Sequence, residues 1–165
     1  WDMSRLQAGA LKASLAPTAL EEVVAAALSA LDAPRERVDI DVSEDLPMVM
    51  TDGALLERSV ANLVSNALSW SPAALRVRVE AARVGRGVVL RVVDRGPGIS
   101  VAERAHVFEP FQRLGDRSSD TGAGLGLAIA RGFVNLLGGT LELDDTPGGG
   151  CTFTISLPAD EVVSP

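Results

Sequence analysis

Hydrophobic positions along this chain fall into alternating helical and extended registers. Leu20, Val23, Val24, Ala27, Leu28 and Leu31 recur three and four residues apart, which predicts a helix with one buried stripe. Thr18 and Glu21, just after Pro17, have the spacing of a capping box that would start it. A second helix is predicted after Asp52, a candidate N-cap, with Leu56, Val60, Leu63, Val64 and Ala67 on its buried side. A third carries Leu127, Ala130, Val134 and Leu137. It is entered through a glycine-rich run from Gly122 and closed where Gly138 and Gly139 can supply a left-handed cap.

Period-two alternation fills the intervals. Residues 37–42 read as a strand and 47–51 as a short extended segment. Leu75, Val77, Val79 and Ala81 alternate with Arg76, Arg78 and Glu80, and Gly85 to Gly87 turn the chain into the run 88–93, a hairpin. Two closing strands, 140–143 and 151–157, flank the turn 146–150. In the second, Cys151, Phe153, Ile155 and Leu157 alternate with Thr152, Thr154 and Ser156. Residues 94–121 are irregular and rich in Gly, Pro, Asp and Ser, a long connection of the kind that carries function or moves. The fold class expected is α+β: a two-layer sandwich of three helices on one face of a mixed or largely antiparallel sheet.

The 165 residues fit one domain. A formal net charge of −7 argues against polyanion partners, so neither nucleic acid nor direct membrane contact is expected. No run approaches the roughly 18 apolar residues of a membrane span, and the start of the chain lacks a signal pattern, so a cytoplasmic domain is expected. One cysteine, Cys151, excludes an internal disulfide, and one histidine, His106, excludes a His-rich zinc site.

Three groups of residues bear on chemistry. Asn62 and Asn66 share one face of the second helix. They read either as a solvated polar edge or as neutral oxygen ligands suited to Mg²⁺. Asp94 opens the segment Asp-Arg-Gly-Pro-Gly-Ile; it is either a common turn or a fixed acceptor for the exocyclic amine of adenine. Gly122, Gly124 and Gly126 precede the third helix, where free N–H groups and the helix dipole can meet phosphate. A Rossmann reading fails because no strand runs into Gly122, and no Gly-Lys-Ser/Thr marks a Walker loop.

The order of these groups is distinctive. Asn62 and Asn66, then Asp94 to Gly98, then Val-Phe-Glu-Pro-Phe at 107–111, then Gly122 to Gly126, then 148–153, resembles the succession of motifs in the histidine-kinase branch of the gyrase, Hsp90, histidine kinase and MutL superfamily. The resemblance spans nearly the whole chain and implies the Bergerat-type ATP-binding fold. By that resemblance Asn62 and Asn66 are the catalytic residues, with Asn66 the Mg²⁺ ligand. Asp94 selects adenine, with Gly96, Gly98 and Ile99 about the base pocket. Gly122, Gly124, Leu125, Gly126 and Leu127 hold a mobile lid against the triphosphate of ATP. Phe108 and Phe111 anchor that lid or simply pack, and Arg113 meets phosphate or is solvated. Ser69 and Trp70 stand where the family has a basic residue followed by an aromatic. Trp70 can stack on adenine, while Ser69 removes a charge from the phosphate end. Cys151 replaces a frequent hydroxyl residue, which Thr152 would then supply.

The resemblance implies domain limits and partners as well. Residues 1–16 would be the end of a dimerisation helix and linker, 17–160 the catalytic domain and 161–165 a flexible tail. Expected partners are a dimerisation and phosphoacceptor domain outside this chain, homodimeric in the full-length kinase, and a cognate response regulator. The whole would be a membrane-anchored kinase with this domain in the cytoplasm. His106 reads as a surface residue, not a phosphoacceptor. Hydrolases and serine kinases of the superfamily carry Glu where Asn62 stands, and an amide cannot accept a proton at neutral pH. Phosphoryl transfer to histidine is therefore expected over hydrolysis; an anti-sigma-type serine kinase or a non-catalytic nucleotide sensor of the same fold are the alternatives. A narrower resemblance, through Phe-Gln-Arg-Leu-Gly-Asp and residues 138–150, is to potassium-responsive Kdp-type sensor kinases.

Overall fold

The computed structural model describes residues 11–104, 106–109 and 126–159. Strand β1 (Ala16–Thr18) leads into helix α1 (Leu20–Leu31), a 3-10 turn (Arg35–Arg37), strands β2 (Val38–Val42) and β3 (Val49–Thr51) and helix α2 (Gly53–Trp70). The hairpin of β4 (Val77–Val84) and β5 (Gly87–Val93) follows, then the short helix α3 (Val101–Arg104). Helix α4 (Gly126–Leu136) and strands β6 (Thr140–Asp145) and β7 (Cys151–Pro158) complete the order.

Five strands form one sheet in the order β2-β4-β5-β7-β6, while β1 and β3 make a separate antiparallel ribbon. Only β2 and β4 are parallel, as their connection through α2 allows; the other pairs are antiparallel. The sheet is therefore mixed. Val77, Val79, Leu90, Val92, Phe153, Ile155 and Leu157 point from it into the core. Helices α1, α2 and α4 supply the other layer, with α2 packed against both of its neighbours. The opposite sheet face is charged: Arg76 pairs with Asp39 at 2.8 Å, and Arg78 with Asp41 and Glu80 at 2.6 Å each. Such exposed pairs keep the face wetted and add little stability.

Asp52 caps α2 as expected, accepting from the Leu55 N–H at 3.1 Å. The predicted capping box on α1 is not formed: the N-cap is Ala19, without a side-chain bond. Thr18 is committed instead to the β1–β3 ribbon, its hydroxyl facing Ala16 O at 2.8 Å and Thr51 O at 3.3 Å. Helix α4 ends as predicted. The Gly139 N–H reaches Val134 O at 3.0 Å and the Gly138 N–H reaches Asn135 O at 3.1 Å, the paired bonds of a Schellman cap. Two local expectations shift: Leu75 lies outside β4 and is exposed, and the stretch after Asp94 contains α3.

Candidate nucleotide-binding site

Asp94 follows the last residue of β5 and is 1% exposed. Burying a carboxylate is costly unless it is hydrogen-bonded, and the local backbone answers that need. Asp94 Oδ1 accepts from the Gly96 N–H at 3.0 Å and the Cys151 N–H at 2.9 Å, and the Asp94 N–H donates to Cys151 O at 2.8 Å. The carboxylate is thus fixed between its own loop and β7. A Cβ on Gly96 would sit 2.6 Å from Trp70 O, so only glycine lets this loop lie against the end of α2. Gly150 is tighter still: its φ is +106° and a Cβ would meet Asp94 O at 2.1 Å.

Two buried hydroxyls that the sequence did not reveal complete the surroundings. Ser71 Oγ accepts from the Arg95 N–H at 2.9 Å, and Thr146 Oγ1 donates to Asp94 O at 3.2 Å. Thr152 lies behind them, its Oγ1 3.0 Å from that of Thr146. Ile99 and Cys151 are buried on the apolar side. Burial, and then the charge of Asp94, pushes the Cys151 thiol up to about 11, while a hydrogen bond from the Ile99 backbone acts the other way. The thiol is a neutral apolar wall.

Helix α2, whose Trp70 end meets this loop, carries both asparagines. Asn66, one turn before Trp70, is 9% exposed. Among the described residues its amide makes no hydrogen bond. A neutral amide oxygen in that state, on a residue otherwise packed into the helix layer, fits a hard cation such as Mg²⁺. Among the described residues no group of three His, Cys, Asp or Glu side chains could hold a metal, so an ion here would draw its other oxygens largely from phosphate and water. Asn62 Nδ2 donates to Gly126 O at 3.2 Å and so ties α2 to the first residue of α4.

The remaining predicted residues divide. Ser69 is exposed and Leu127 buried, and Gly98 lies half-buried in the loop with Ile99. Trp70 is buried against Phe153, ring centres 6.5 Å apart, and so packs in the core. Phe108 meets Phe153 edge-on at 6.1 Å and carries the Arg131 guanidinium 4.8 Å above its ring. Phe111, Arg113, Gly122, Gly124 and Leu125 lie outside the described residues. His106 is an exposed residue whose Nδ1 lies 3.0 Å from Glu109 Oε1. A separate cavity of about 460 Å³ between α1 and β2, lined by Leu28, Pro34 and Ile40, shares none of these residues.

Residues 51–161 match the family of histidine kinase-, DNA gyrase B-, and HSP90-like ATPases. Over 168 aligned residues the chain is 44% identical to sensor protein KdpD of Mycobacterium tuberculosis (strain H37Rv), covering 97% of this chain and 19% of that protein. The chain therefore spans about a fifth of the length of that relative. A mycobacterial sensor histidine kinase, MprB, superposes with a TM-score of 0.75 at 35% identity, over 88% of this chain and 97% of the solved one. Full-length ShkA, solved in complex with AMPPNP, superposes with a TM-score of 0.78 at 31% identity, over 94% of this chain and 33% of its own.

Proposed function

We propose, for a chain that belongs to the histidine kinase-, DNA gyrase B-, and HSP90-like ATPase family and is a sensor-histidine-kinase-type ATP-binding catalytic domain, that it transfers the γ-phosphate of ATP to a histidine on a dimerisation domain outside this sequence. Residues 1–16 would be the link to that domain, 17–160 the catalytic unit and 161–165 a tail. The longer protein would be a membrane-anchored homodimer that passes its phosphate to a response regulator, with this domain in the cytoplasm.

The observation that carries the reading is the amide pair on α2. Asn66 is buried without a hydrogen bond among the described residues, and Asn62 is held on Gly126 O at the start of α4. Asp94, fixed by two backbone N–H groups, would accept from the adenine amine and repel a carbonyl at the same place. Asn66 would hold Mg²⁺, which supplies charge neutralisation on the phosphates when bound. Asn62, tied to Gly126 O at the start of α4, would help to order the phosphates and the metal. No proton acceptor stands at Asn62, so water is not activated there. A neutral imidazole needs no such help, because its lone pair is already nucleophilic. Orientation and charge stabilisation then carry the transfer.

A soluble dimerisation domain bearing the acceptor histidine, mixed with this chain and γ-labelled ATP, tests the reading. The wild-type chain labels that histidine and Asn66→Ala does not. Equal labelling by both would make the assignment of the metal to Asn66 wrong.

A further inference from the structure

We infer that Ser71 and Thr146 are positioning residues for base recognition, clamping the peptide that follows Asp94 and thereby setting the direction of its carboxylate. The inference rests on the adenine-reading role proposed for Asp94. The peptide unit between Asp94 and Arg95 is held from both sides by side-chain hydroxyls. Its carbonyl accepts from Thr146 Oγ1 at 3.2 Å and its N–H donates to Ser71 Oγ at 2.9 Å. Both hydroxyls are buried, Ser71 at 7% exposure and Thr146 at 5%. They arrive from distant parts of the chain: Ser71 closes α2, and Thr146 begins the turn between β6 and β7.

The clamp acts on the peptide that follows Asp94. The bond from the Asp94 N–H to Cys151 O fixes the preceding peptide, and the Cys151 N–H fixes one side of the carboxylate. Rotation of the following peptide would carry the Gly96 N–H away from Asp94 Oδ1, breaking the second bond on that oxygen. Ser71 and Thr146 oppose that rotation. Thr146 spends its proton on Asp94 O, so in the 3.0 Å contact between the two threonines Thr152 is the donor. Thr152 therefore supports the clamp from behind.

Titration calorimetry of the chain with ATP and with inosine triphosphate, in which a carbonyl replaces the adenine amine, reads the effect directly. The wild-type chain prefers ATP. In Ser71→Ala and Thr146→Val, ATP affinity falls about tenfold, the cost of one misplaced buried hydrogen bond. Inosine triphosphate affinity hardly changes, so the preference shrinks. Ser71→Thr and Thr146→Ser retain the hydroxyls and the preference. Thr152→Val, at a half-buried position, gives a weaker shift in the same direction and serves if the core variants fail to fold. Proportional weakening of both nucleotides would mean a merely structural role and would overturn the inference. A wild-type chain with no preference would instead overturn the reading of Asp94 itself, and this inference with it.

Discussion

Asp52 joins the amino-terminal segment to the helix that bears Asn62 and Asn66, and substituting it should separate two contributions to stability. Its Oδ1 accepts from the Leu55 N–H at 3.1 Å, and its Oδ2 accepts from the Ser14 N–H at 2.8 Å. The first bond is an N-cap, worth about 1 kcal/mol. The second is exposed but has a carboxylate acceptor, which again gives about 1 kcal/mol. Asp52→Ala loses both, so it should destabilise by about 2 kcal/mol and lower Tm by about 4–8 °C in a chain of this size. Asp52→Asn keeps an amide oxygen on Leu55 and gives up the contact to Ser14, costing about half as much. Thermal unfolding followed by circular dichroism gives the Tm values, and amide hydrogen exchange resolves the two bonds. Exchange at Ser14 should accelerate in both variants, and at Leu55 only in Asp52→Ala. Equal Tm losses with Leu55 unprotected in both would refute the division of labour between the two oxygens.

Other perturbations act closer to the nucleotide. Gly150→Ala places a methyl group 2.1 Å from Asp94 O at a φ of +106°; it should cost about 3 kcal/mol and abolish ATP binding by calorimetry, and full retention of binding would contradict the geometry. Phe153 is 1% exposed between Trp70 and Phe108, so Phe153→Ala should cost about 3–5 kcal/mol in urea unfolding. Cys151 rises on folding from 9.0 to about 11, so the folded state disfavours the thiolate. Its contribution is fully present below about pH 9 and is lost as pH rises through about 11, a difference of about 2–3 kcal/mol. Comparing urea unfolding of wild type and Cys151→Ala across that range isolates it; parallel pH curves would contradict the assigned burial.

The elements were legible where one periodicity dominated. The stripe of α2 and the alternation of β7 each bury one face only, and a shift of one residue would expose the core, so sequence alone fixes their faces. Asp52 and the Gly138–Gly139 pair were legible because cap chemistry is local. Thr18 misled because its capping-box spacing is also local, while the partner that claims it, Thr51, is distant in sequence. The same distance hides Ser71 and Thr146. Neither belongs to a pattern, and their roles arise only when the end of α2 and the β6–β7 turn converge on Asp94. The turn at Asp94 was legible through its glycines, whereas the bond from Cys151 that fixes its carboxylate was not. Trp70, read as a platform for adenine, lies against Phe153, a contact that no spacing in the sequence foretold.

In the proposed function Asp94 reads the purine and Asn66 holds the metal. A crystal structure of this chain grown with AMPPNP and Mg²⁺ tests both at once. The adenine amine is expected within hydrogen-bond distance of the Asp94 carboxylate, and the cation on the Asn66 oxygen and phosphate. A nucleotide seated elsewhere, such as the cavity beside Leu28 and Ile40, or a cation that leaves Asn66 untouched, would contradict it.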